Sequence, residues 1–293
     1  MYELIQISEH DYYIDCPAKM GIVRTSDTDV VMIDSGSDKD AGKKALKCIE
    51  ANGWKLVAVY NTHSHADHIG GNRLLQDRTG CKCYAYGLEW DVTCNPILEP
   101  ALIYGGYPHK DNRNKFLMAQ ASKADPLTEE VLPEGWKLFH VPGHSYDMVG
   151  FITADGNAYI GDAISSQATI SKYGIIYTWN IGQALESLEY LKTVEAKLFV
   201  PAHAPVTEDI TKPADLNISG IYKNIDKILD LLRTPESFDE LLKGMFDGTE
   251  LVMNATQHVL TGSTVRAYLS YLYDQGRISY EFRDNIMYWK RTV

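Results

Sequence analysis

Four potential metal ligands lie within six consecutive positions of this 293-residue chain. They are His63, His65, Asp67 and His68. Residues 55–60 before them are apolar and β-branched enough to form a buried strand, and Gly70 and Gly71 interrupt the segment that follows. In an extended segment, side chains two positions apart leave the same face, so His63 and His65 can reach one ion. Asp67 and His68 are adjacent, so they suit a second ion if the chain turns there.

The ligand types in this segment narrow the choice of metal. Imidazole and carboxylate together suit zinc, iron or manganese, and no thiolate lies within the cluster. The alternative is a loop of solvated histidines. The whole chain holds only nine histidines, so the crowding does not follow from composition. The sequence therefore predicts two divalent metal ions, with zinc as the first choice and iron or manganese as alternatives.

Residues 62–72 resemble the His-x-His-x-Asp-His signature of the metallo-β-lactamase-fold hydrolases, and three later motifs extend the resemblance. Pro142-Gly143-His144 is similar to the family's Pro-Gly-His turn, Gly161-Asp162 to its Gly-Asp motif, and His203 to its last histidine. Each follows a short apolar run and should emerge from the end of a strand. The resemblance implies one ion at His63, His65 and His144, a second at Asp67, His68 and His203, and Asp162 as the bridge between them.

The resemblance also implies the fold, an α/β protein built as a four-layer αββα sandwich of two facing sheets with helices outside. Residues 1–212 would form this catalytic domain. Asp34-Ser35-Gly36 is similar to an Asp-x-Gly that family members carry near the site, and we expect Asp34 to brace a loop rather than to bind metal.

Alternating apolar patterns place the first elements of this domain. Gly53 supplies a stop for the first helix. We predict strands at 2–8, 11–16, 19–25, 29–34, 55–60 and 81–86, and helices at 39–52 and 69–77. Further strands are expected at 136–141, 158–160 and 197–200, and a helix at 183–192.

Residues 88–133 break this rhythm with several Pro and Gly positions, and such a long irregular insertion near a site is often a lid. A solvated connection or a dimer contact is an equal alternative. The insertion carries Tyr104, Tyr107 and His109, and we expect His109 not to bind metal. Tyr104 and Tyr107, together with Tyr173 and Tyr177 after the Gly-Asp motif, are candidate substrate contacts; core packing is the alternative for each.

The sequence changes character after about residue 213. We predict a helix at 215–232, a helix N-capped by Thr234 with Pro235 at its first position, a helix at 263–274, and a hairpin of 277–283 with 286–290. Helices followed by a hairpin resemble a winged-helix module over 213–293. Its basic residues alternate with acidic ones, so nucleic-acid binding is the lesser expectation, and cleft closure or contacts in a homodimer are favoured.

Composition excludes some classes of protein. The net charge of −11 gives no general attraction to nucleic acid. No apolar run approaches a membrane span and no targeting pattern opens the chain, so the expected location is the cytoplasm. Five cysteines without a Cys-x-x-Cys pair argue against a disulfide framework and against a zinc knuckle.

The function predicted from these features is a binuclear metal-dependent hydrolase that acts on a small-molecule ester, thioester or lactone, similar to glyoxalase II. By resemblance the nucleophile is a hydroxide shared by the two ions, and Asp67 orients it. One alternative is a phosphodiesterase or endoribonuclease that uses the terminal module as a nucleic-acid platform. A second is a metal-bearing sensor that binds nucleic acid without catalysis.

Overall fold

The structure is a computed structural model that describes residues 2–247, 249 and 251–292. Its largest sheet has seven strands in the order β1-β2-β3-β4-β5-β6-β7. The strands are β1 (Glu3–Gln6), β2 (Asp11–Asp15), β3 (Met20–Arg24), β4 (Asp29–Ile33), β5 (Lys55–Tyr60), β6 (Lys82–Ala85) and β7 (Asp125–Pro126). The first four strands form an antiparallel meander, and β4 to β7 are parallel.

A second sheet has four strands in the order β11-β10-β9-β8. They are β8 (Lys137–His140), β9 (Val149–Ile152), β10 (Ala158–Tyr159) and β11 (Phe199–Val200). The strands β10 and β11 are parallel, so both end at the same edge of this sheet. The helices of this part of the chain are α1 (Lys39–Ala51), α2 (Ala66–Ile69), α3 (Asn72–Thr79), α4 (Gly87–Cys94), α5 (Leu98–Tyr104), α6 (Gln167–Tyr173) and α7 (Ile181–Leu191).

The two sheets bury their facing sides against each other. Tyr60 of β5 packs on Phe151 of β9, with ring centroids 6.0 Å apart, inside a buried cluster that also holds Val31 and Val200. The outer face of the large sheet buries Ile49 of α1 and Leu75 of α3. The outer face of the small sheet is covered by α7 and by helices of the C-terminal part. This arrangement is the predicted αββα sandwich.

Most predicted elements are present with slightly shorter ends, and β5 has the predicted bounds. The predicted helix at 69–77 is wrong in its limits, because the metal motif itself begins a helix at Ala66 and the chain then starts α3 at Asn72. The expectation of an irregular insertion at 88–133 also needs correction, since the segment contains α4, α5 and two short 3₁₀ turns. Pro96 lies between α4 and α5, Pro100 lies in the first turn of α5, and Gly105 ends α5, so these positions shape short helices rather than prevent them.

The C-terminal part follows the order helix, short strand, two helices and hairpin. Its elements are α8 (Thr211–Leu231), β12 (Glu236–Ser237), α9 (Phe238–Phe246), α10 (Ala255–Asp274), β13 (Ile278–Arg283) and β14 (Ile286–Arg291). The strand order is β12-β14-β13. Asp284 and Asn285 have φ of 49° and 65°. Positive φ at both central residues is what a two-residue hairpin turn of type I′ requires. The domain boundary at 212 and the winged-helix assignment stay predictions.

Three helix starts predicted for this part are wrong. Helix α8 begins at Thr211, four residues before the predicted start at residue 215. The cap of α9 is Ser237, whose hydroxyl accepts from the Glu240 backbone while the Glu240 side chain accepts from the Ser237 backbone. Thr234 cannot play this role because Glu236 and Ser237 pair with β14. Helix α10 begins at Ala255, eight residues before the predicted start, with Asn254 as its cap.

Helix α10 connects the C-terminal part to the insertion. Val259 of α10 shares a small buried cluster with Ile103 of α5 and Leu117, and Tyr177 packs against the same cluster. The insertion, the segment after Asp162 and the C-terminal part therefore meet at one place. None of the described helices is long and apolar enough to cross a membrane.

Candidate metal centre

The metal motif lies directly after β5, where the chain turns into α2. His65 is the residue before this short helix, so Asp67 and His68 lie in its first turn. Asp34, at the end of β4, holds the turn from outside: its carboxylate accepts from the backbone N–H and hydroxyl of Thr62, each at 2.8 Å. Asp34 has φ of 60°, an uncommon backbone conformation for a non-glycine residue. The predicted role of Asp34 as a brace agrees with these bonds.

Three histidines converge on one point, and we call them the three-histidine group. Nδ1 of His65 lies 3.0 Å from Nε2 of His63 and 3.0 Å from Nε2 of His144. His63 and His65 come from the end of β5, and His144 comes from the turn after β8. These three nitrogens satisfy the spacing of a metal-binding set.

The other nitrogen of each histidine in this group points away from the centre. Nδ1 of His63 lies 3.0 Å from the Thr62 hydroxyl, and Nδ1 of His144 lies 3.0 Å from the Tyr177 carbonyl. Nε2 of His65 faces the Glu99 carboxylate at 3.9 Å. When the outward nitrogens carry the protons, the three inward nitrogens present lone pairs only, which fits a cation between them.

Asp67, His68 and His203 form a second set, which we call the aspartate group. Nε2 of His203 lies 3.0 Å from the Asp67 carboxylate. Outside the group, Nδ1 of His68 donates to Asp34 at 2.8 Å and Nδ1 of His203 donates to the Pro17 carbonyl at 2.7 Å. The Nε2 atoms of both histidines are therefore directed at the centre.

Asp162 lies between the two groups. One carboxylate oxygen is 3.2 Å from His68 Nε2, and the other is 3.4 Å from both His144 Nε2 and His203 Nε2. The structure brings together all seven side chains predicted as ligands, namely the three-histidine group, the aspartate group and Asp162, which we call the metal cluster. They come from four segments of the chain and meet within one site.

The two groups differ in electrostatics. In the three-histidine group, burial lowers the pKa of His63 and His144, and it lowers that of His65 to about 3. These imidazoles are neutral at pH 7 and can bind a metal without losing a proton.

The aspartate group instead forms charged pairs. Burial opposes the charge on His68, but the carboxylates of Asp162, Asp67 and Asp34 raise its pKa well above the usual value. The Asp162 carboxylate raises the pKa of His203 to about 9. Burial also opposes ionisation of Asp67 and Asp162, but neighbouring histidine charges hold the pKa of both carboxyls below its usual range. Protons occupy positions here that a metal ion would take.

The chemistry of this cluster fits divalent ions. Among the described residues, His68 Nε2 and Asp162 Oδ1 are buried without a hydrogen-bond partner. These two atoms lie 3.2 Å from each other without the geometry of a hydrogen bond, and because buried polar atoms are ordinarily bonded, a cation between them would satisfy both. A cation of the zinc, iron or manganese kind satisfies nitrogen and oxygen donors together.

A cleft of about 210 Å³ opens above the cluster, where His144, Asp162 and His203 lie at its base. Its remaining lining, which we call the cleft wall, comes from the segment after Asp162 and from α10. The cleft wall consists of Ser165, Thr169, Tyr173, Ile175, Ile176, Tyr177, Gln257, Leu260, Thr261 and Thr264. The ring of Tyr177 meets His65 edge-on with centroids 5.2 Å apart.

Two of the four candidate tyrosines therefore line this cleft, Tyr173 and Tyr177. Tyr104 and Tyr107 lie on the insertion with 45% and 73% of their surface exposed and do not border it. Tyr104 packs on His109, and the hydroxyl of Tyr107 accepts from Arg113. His109 lies outside the metal cluster.

Residues 14–203 match the Metallo-beta-lactamase superfamily, and this match covers more than half of the chain. The chain belongs to this superfamily. Curated relatives include a "Hydroxyacylglutathione hydrolase" of Methylococcus capsulatus, 30% identical over 153 residues, which are 52% of this chain and 49% of the relative. Another, of Prochlorococcus marinus, is 26% identical over 228 residues, 74% of this chain and 80% of the relative. The chain spans about half the length of the first curated relatives it matches.

Solved structures extend the likeness to nearly the whole chain. A beta-lactamase domain protein from Burkholderia ambifaria has a TM-score of 0.76 at 18% identity and covers 99% of this chain and 94% of its own. A metallo-beta-lactamase family protein from Thermus thermophilus has a TM-score of 0.70 at 17% identity, and the likeness covers 99% of this chain and 97% of that protein. At such identities the likeness establishes the fold alone, here including the C-terminal part.

The insertion supplies two buried acids to this metallo-beta-lactamase site that sequence reasoning missed. Glu89 of α4 accepts from the backbone and hydroxyl of Ser64 and from the backbone of Asp147, so it ties two ligand-bearing turns together. Glu99 of α5 faces His65, and burial raises its pKa well above the usual value. Neither position carries a motif, so only the fold of the insertion reveals them.

Proposed function

We propose that this protein is a hydrolase that uses two divalent metal ions, most simply zinc, to cleave a small ester, thioester or lactone. His63, His65 and His144 hold one ion, and Asp67, His68 and His203 hold the other, while Asp162 contacts both. The single observation that carries the proposal is the convergence of three histidine nitrogens on one point, with Asp162 joining that point to the aspartate group. Membership of the superfamily indicates the same class of metal-dependent hydrolase.

The chain divides the work of the reaction between two sets of residues. Two bound divalent cations would lower the pKa of a bound water toward about 7 and polarise the carbonyl oxygen under attack. Asp67 keeps its side chain 40% exposed at the open side of the cluster, where its carboxylate can accept a hydrogen bond from the attacking water and orient it. Tyr177 and α10 close one side of the cleft and limit the access of bulk water.

The cleft favours a carbonyl substrate over a phosphate. Among the residues that the structure describes, no lysine or arginine lines it, whereas phosphodiesters are usually held by such cations. Several curated relatives are named hydroxyacylglutathione hydrolases, and one of Aspergillus fumigatus is named an atrochrysone carboxyl ACP thioesterase. These names support a thioester as the first substrate class to test here.

The C-terminal part gives little support to nucleic-acid binding. On the hairpin, Glu281 forms ion pairs with Arg283 and Lys290, so two positive charges of the hairpin are already paired with an acid. The guanidinium of Arg266 lies 3.8 Å from the centre of the Phe238 ring. We propose that the C-terminal part closes the cleft through α10. The alternative role, contacts between the two subunits of a homodimer, stays a prediction.

The test combines metal analysis with a substrate panel. We expect two metal ions per chain in freshly purified protein, and turnover of a thioester or lactone but not of a phosphodiester or a short RNA. In His144→Ala, metal content and turnover should fall together, because the three-histidine group loses one of its nitrogens.

The matched control is His109→Ala, which removes an exposed histidine of the insertion outside the cluster. It should keep both metals and full turnover. Unchanged metal stoichiometry in His144→Ala would refute the ligand assignment, and turnover of RNA alone would move the proposal to the nuclease alternative.

A further inference from the structure

A second and narrower cavity, of about 60 Å³, lies behind the cleft. It shares His144, Asp162 and Tyr177 with the cleft, so both spaces meet at the metal cluster. The cavity extends inward between the segment after Asp162 and the helices α7, α8 and α10, which contribute its deeper lining. A substrate bound at the cluster can therefore place one end in the open cleft and the other in this cavity.

The walls of the cavity are suited to an apolar occupant. Its aliphatic lining consists of Val141, Met148, Ile170, Ile176, Leu188 and Ile221. Three of the polar side chains beside them are bonded within the protein. The Asn217 amide pairs with the backbone of Ser165, the Asn224 amide donates to the Gly174 carbonyl, and the Ser187 hydroxyl donates to the Pro142 carbonyl. A polar ligand group in the cavity would find these partners occupied.

Gly220 supports the same interpretation. It lies in the interior of α8, where glycine is disfavoured, and it lines the cavity. A Cβ atom at this position would meet only the Ile170 Cγ2 atom at 3.7 Å, an ordinary contact, and its φ is not positive. Neither a turn nor a close backbone approach requires glycine here. What glycine does provide is space next to Ile170, both in the cavity and in a surface groove that the two residues also line.

We propose that this cavity holds the acyl chain of the substrate, so that the substrate class is a thioester or ester of a short, unbranched aliphatic acid. The inference rests on the proposed hydrolase function and specifies its substrate. Water adds to the carbonyl carbon at the cluster, the bond from that carbon to sulfur or oxygen breaks, and the departing thiol or alcohol takes up a proton in the cleft. Because a cavity of about 150 Å³ takes a six-carbon ring, about 60 Å³ takes roughly two or three carbons beyond the carbonyl.

The first experiment measures kcat/KM of the metal-loaded wild-type protein for straight-chain acyl thioesters of one small thiol, N-acetylcysteamine. We expect kcat/KM to rise about fourfold per added methylene from acetyl to propanoyl or butanoyl, as burial of a methylene predicts. It should fall for hexanoyl and octanoyl chains, which exceed the cavity.

Two variants should move this optimum in opposite directions. Gly220→Ala narrows the cavity and should favour chains about one carbon shorter, whereas Ile170→Ala removes wall atoms and should favour longer chains. Gly182→Ala is the matched control: it adds a methyl group on α7, where a Cβ meets only ordinary contacts at 3.5 and 3.6 Å, and Gly182 does not line the cavity. Metal content and the circular dichroism spectrum should match the wild type in all three variants, which shows that they fold and load metal.

The outcomes separate this inference from the hydrolase proposal. If the wild-type protein hydrolyses acyl thioesters with no dependence on chain length, or if both cavity variants keep its profile, the cavity does not hold the acyl chain. The same shift in Gly182→Ala would likewise overturn the inference. If the metal-loaded protein hydrolyses no thioester or ester of any length, the proposed function fails and this inference fails with it.

Discussion

The metal cluster and the cleft wall face each other across the site but are held in different ways. In the cluster, side chains stand at the ends of strands, and the outward nitrogens of His63, His68, His144 and His203 each have a partner. The wall depends on α6, which has no buried residues, and on α10 from the far end of the chain. The cluster is therefore held in place by the protein itself, whereas the part of the wall that α6 contributes has fewer buried contacts to hold it.

This difference separates two kinds of substitution. A change in the cluster should alter metal binding and, with it, the turnover of every substrate. A change in the wall should alter the choice of substrate and leave the metals in place. The predictions below test this separation, beginning with the largest expected effect.

Asp162→Asn should have the largest effect. The change removes the carboxylate charge that lies between the two groups, so both ions lose a ligand. We expect metal content to fall below two per chain and kcat/KM to fall by more than the 10- to 100-fold typical of losing a partner that only orients a ligand. Elemental analysis and thioester kinetics on the same sample provide the measurement. Asp91→Asn, at an exposed position of α4, is the control and should match the wild type.

The second prediction distinguishes the two halves of the cluster by pH. Binding at the aspartate group displaces protons from His68 and His203, whereas the three-histidine group is already neutral. The affinity for the ion at the aspartate group should therefore rise by about tenfold per pH unit for each proton released, up to about pH 9. The affinity for the ion at the three-histidine group should change little. Competition with a chelating dye at several pH values measures both affinities. Equal pH dependence of the two ions would contradict the charged-pair description of the aspartate group.

The same charges make a prediction for the metal-free protein. The folded-state pKa of His203 is raised from the usual 6.5 to about 9, so its protonated form stabilises the fold. This stabilisation is fully present below pH 6.5 and is lost as the pH rises through 9. The Tm of chelator-treated protein should fall over this window. A Tm that rises with pH between these values would show that other groups dominate.

Glu99→Gln tests whether the insertion reaches the cluster. Burial raises the pKa of Glu99 well above its usual value, and the change replaces this carboxyl group, 3.9 Å from His65 Nε2, with an amide of the same shape that cannot ionise when a cation binds. We expect metal affinity at the three-histidine group to fall by roughly tenfold, the lower end of what such orienting partners contribute. Glu129→Gln, an exposed acid of the same insertion, is the control. An affinity equal to that of the wild type would make Glu99 a packing residue only.

The ease of prediction from sequence follows the same division between cluster and wall. The sequence could predict which side chains meet in the cluster because each lies in a short motif after an apolar run, and strand ends bring such motifs to one edge of a sheet. The helices of the insertion were missed because their Pro and Gly positions resemble loop, and Glu89 and Glu99 have no local signature. Contacts between Leu117, Ile103 and Val259 join segments more than 140 residues apart, which no local pattern encodes.

Capping residues show the same limit at shorter range. Thr234 followed by Pro235 is as good a helix start as Ser237 with Glu240 when only the local sequence is considered. Pairing of Glu236 and Ser237 with β14, about 50 residues later, decides between them. Local chemistry therefore offers alternatives, and distant strand pairing selects one.

Thr264→Val should have the smallest effect and tests the wall alone. The Thr264 hydroxyl accepts from the Thr178 backbone at 3.2 Å and so holds the segment that carries Tyr177 against α10. Valine keeps the shape but not the acceptor, and we expect a loss of about 1 kcal/mol in the free energy of unfolding. The KM for the preferred thioester should rise a few-fold through the looser wall, while both metals stay bound. Measured metal loss in this variant would show that wall and cluster are coupled, and the separation between fixed cluster and adjustable wall would fail.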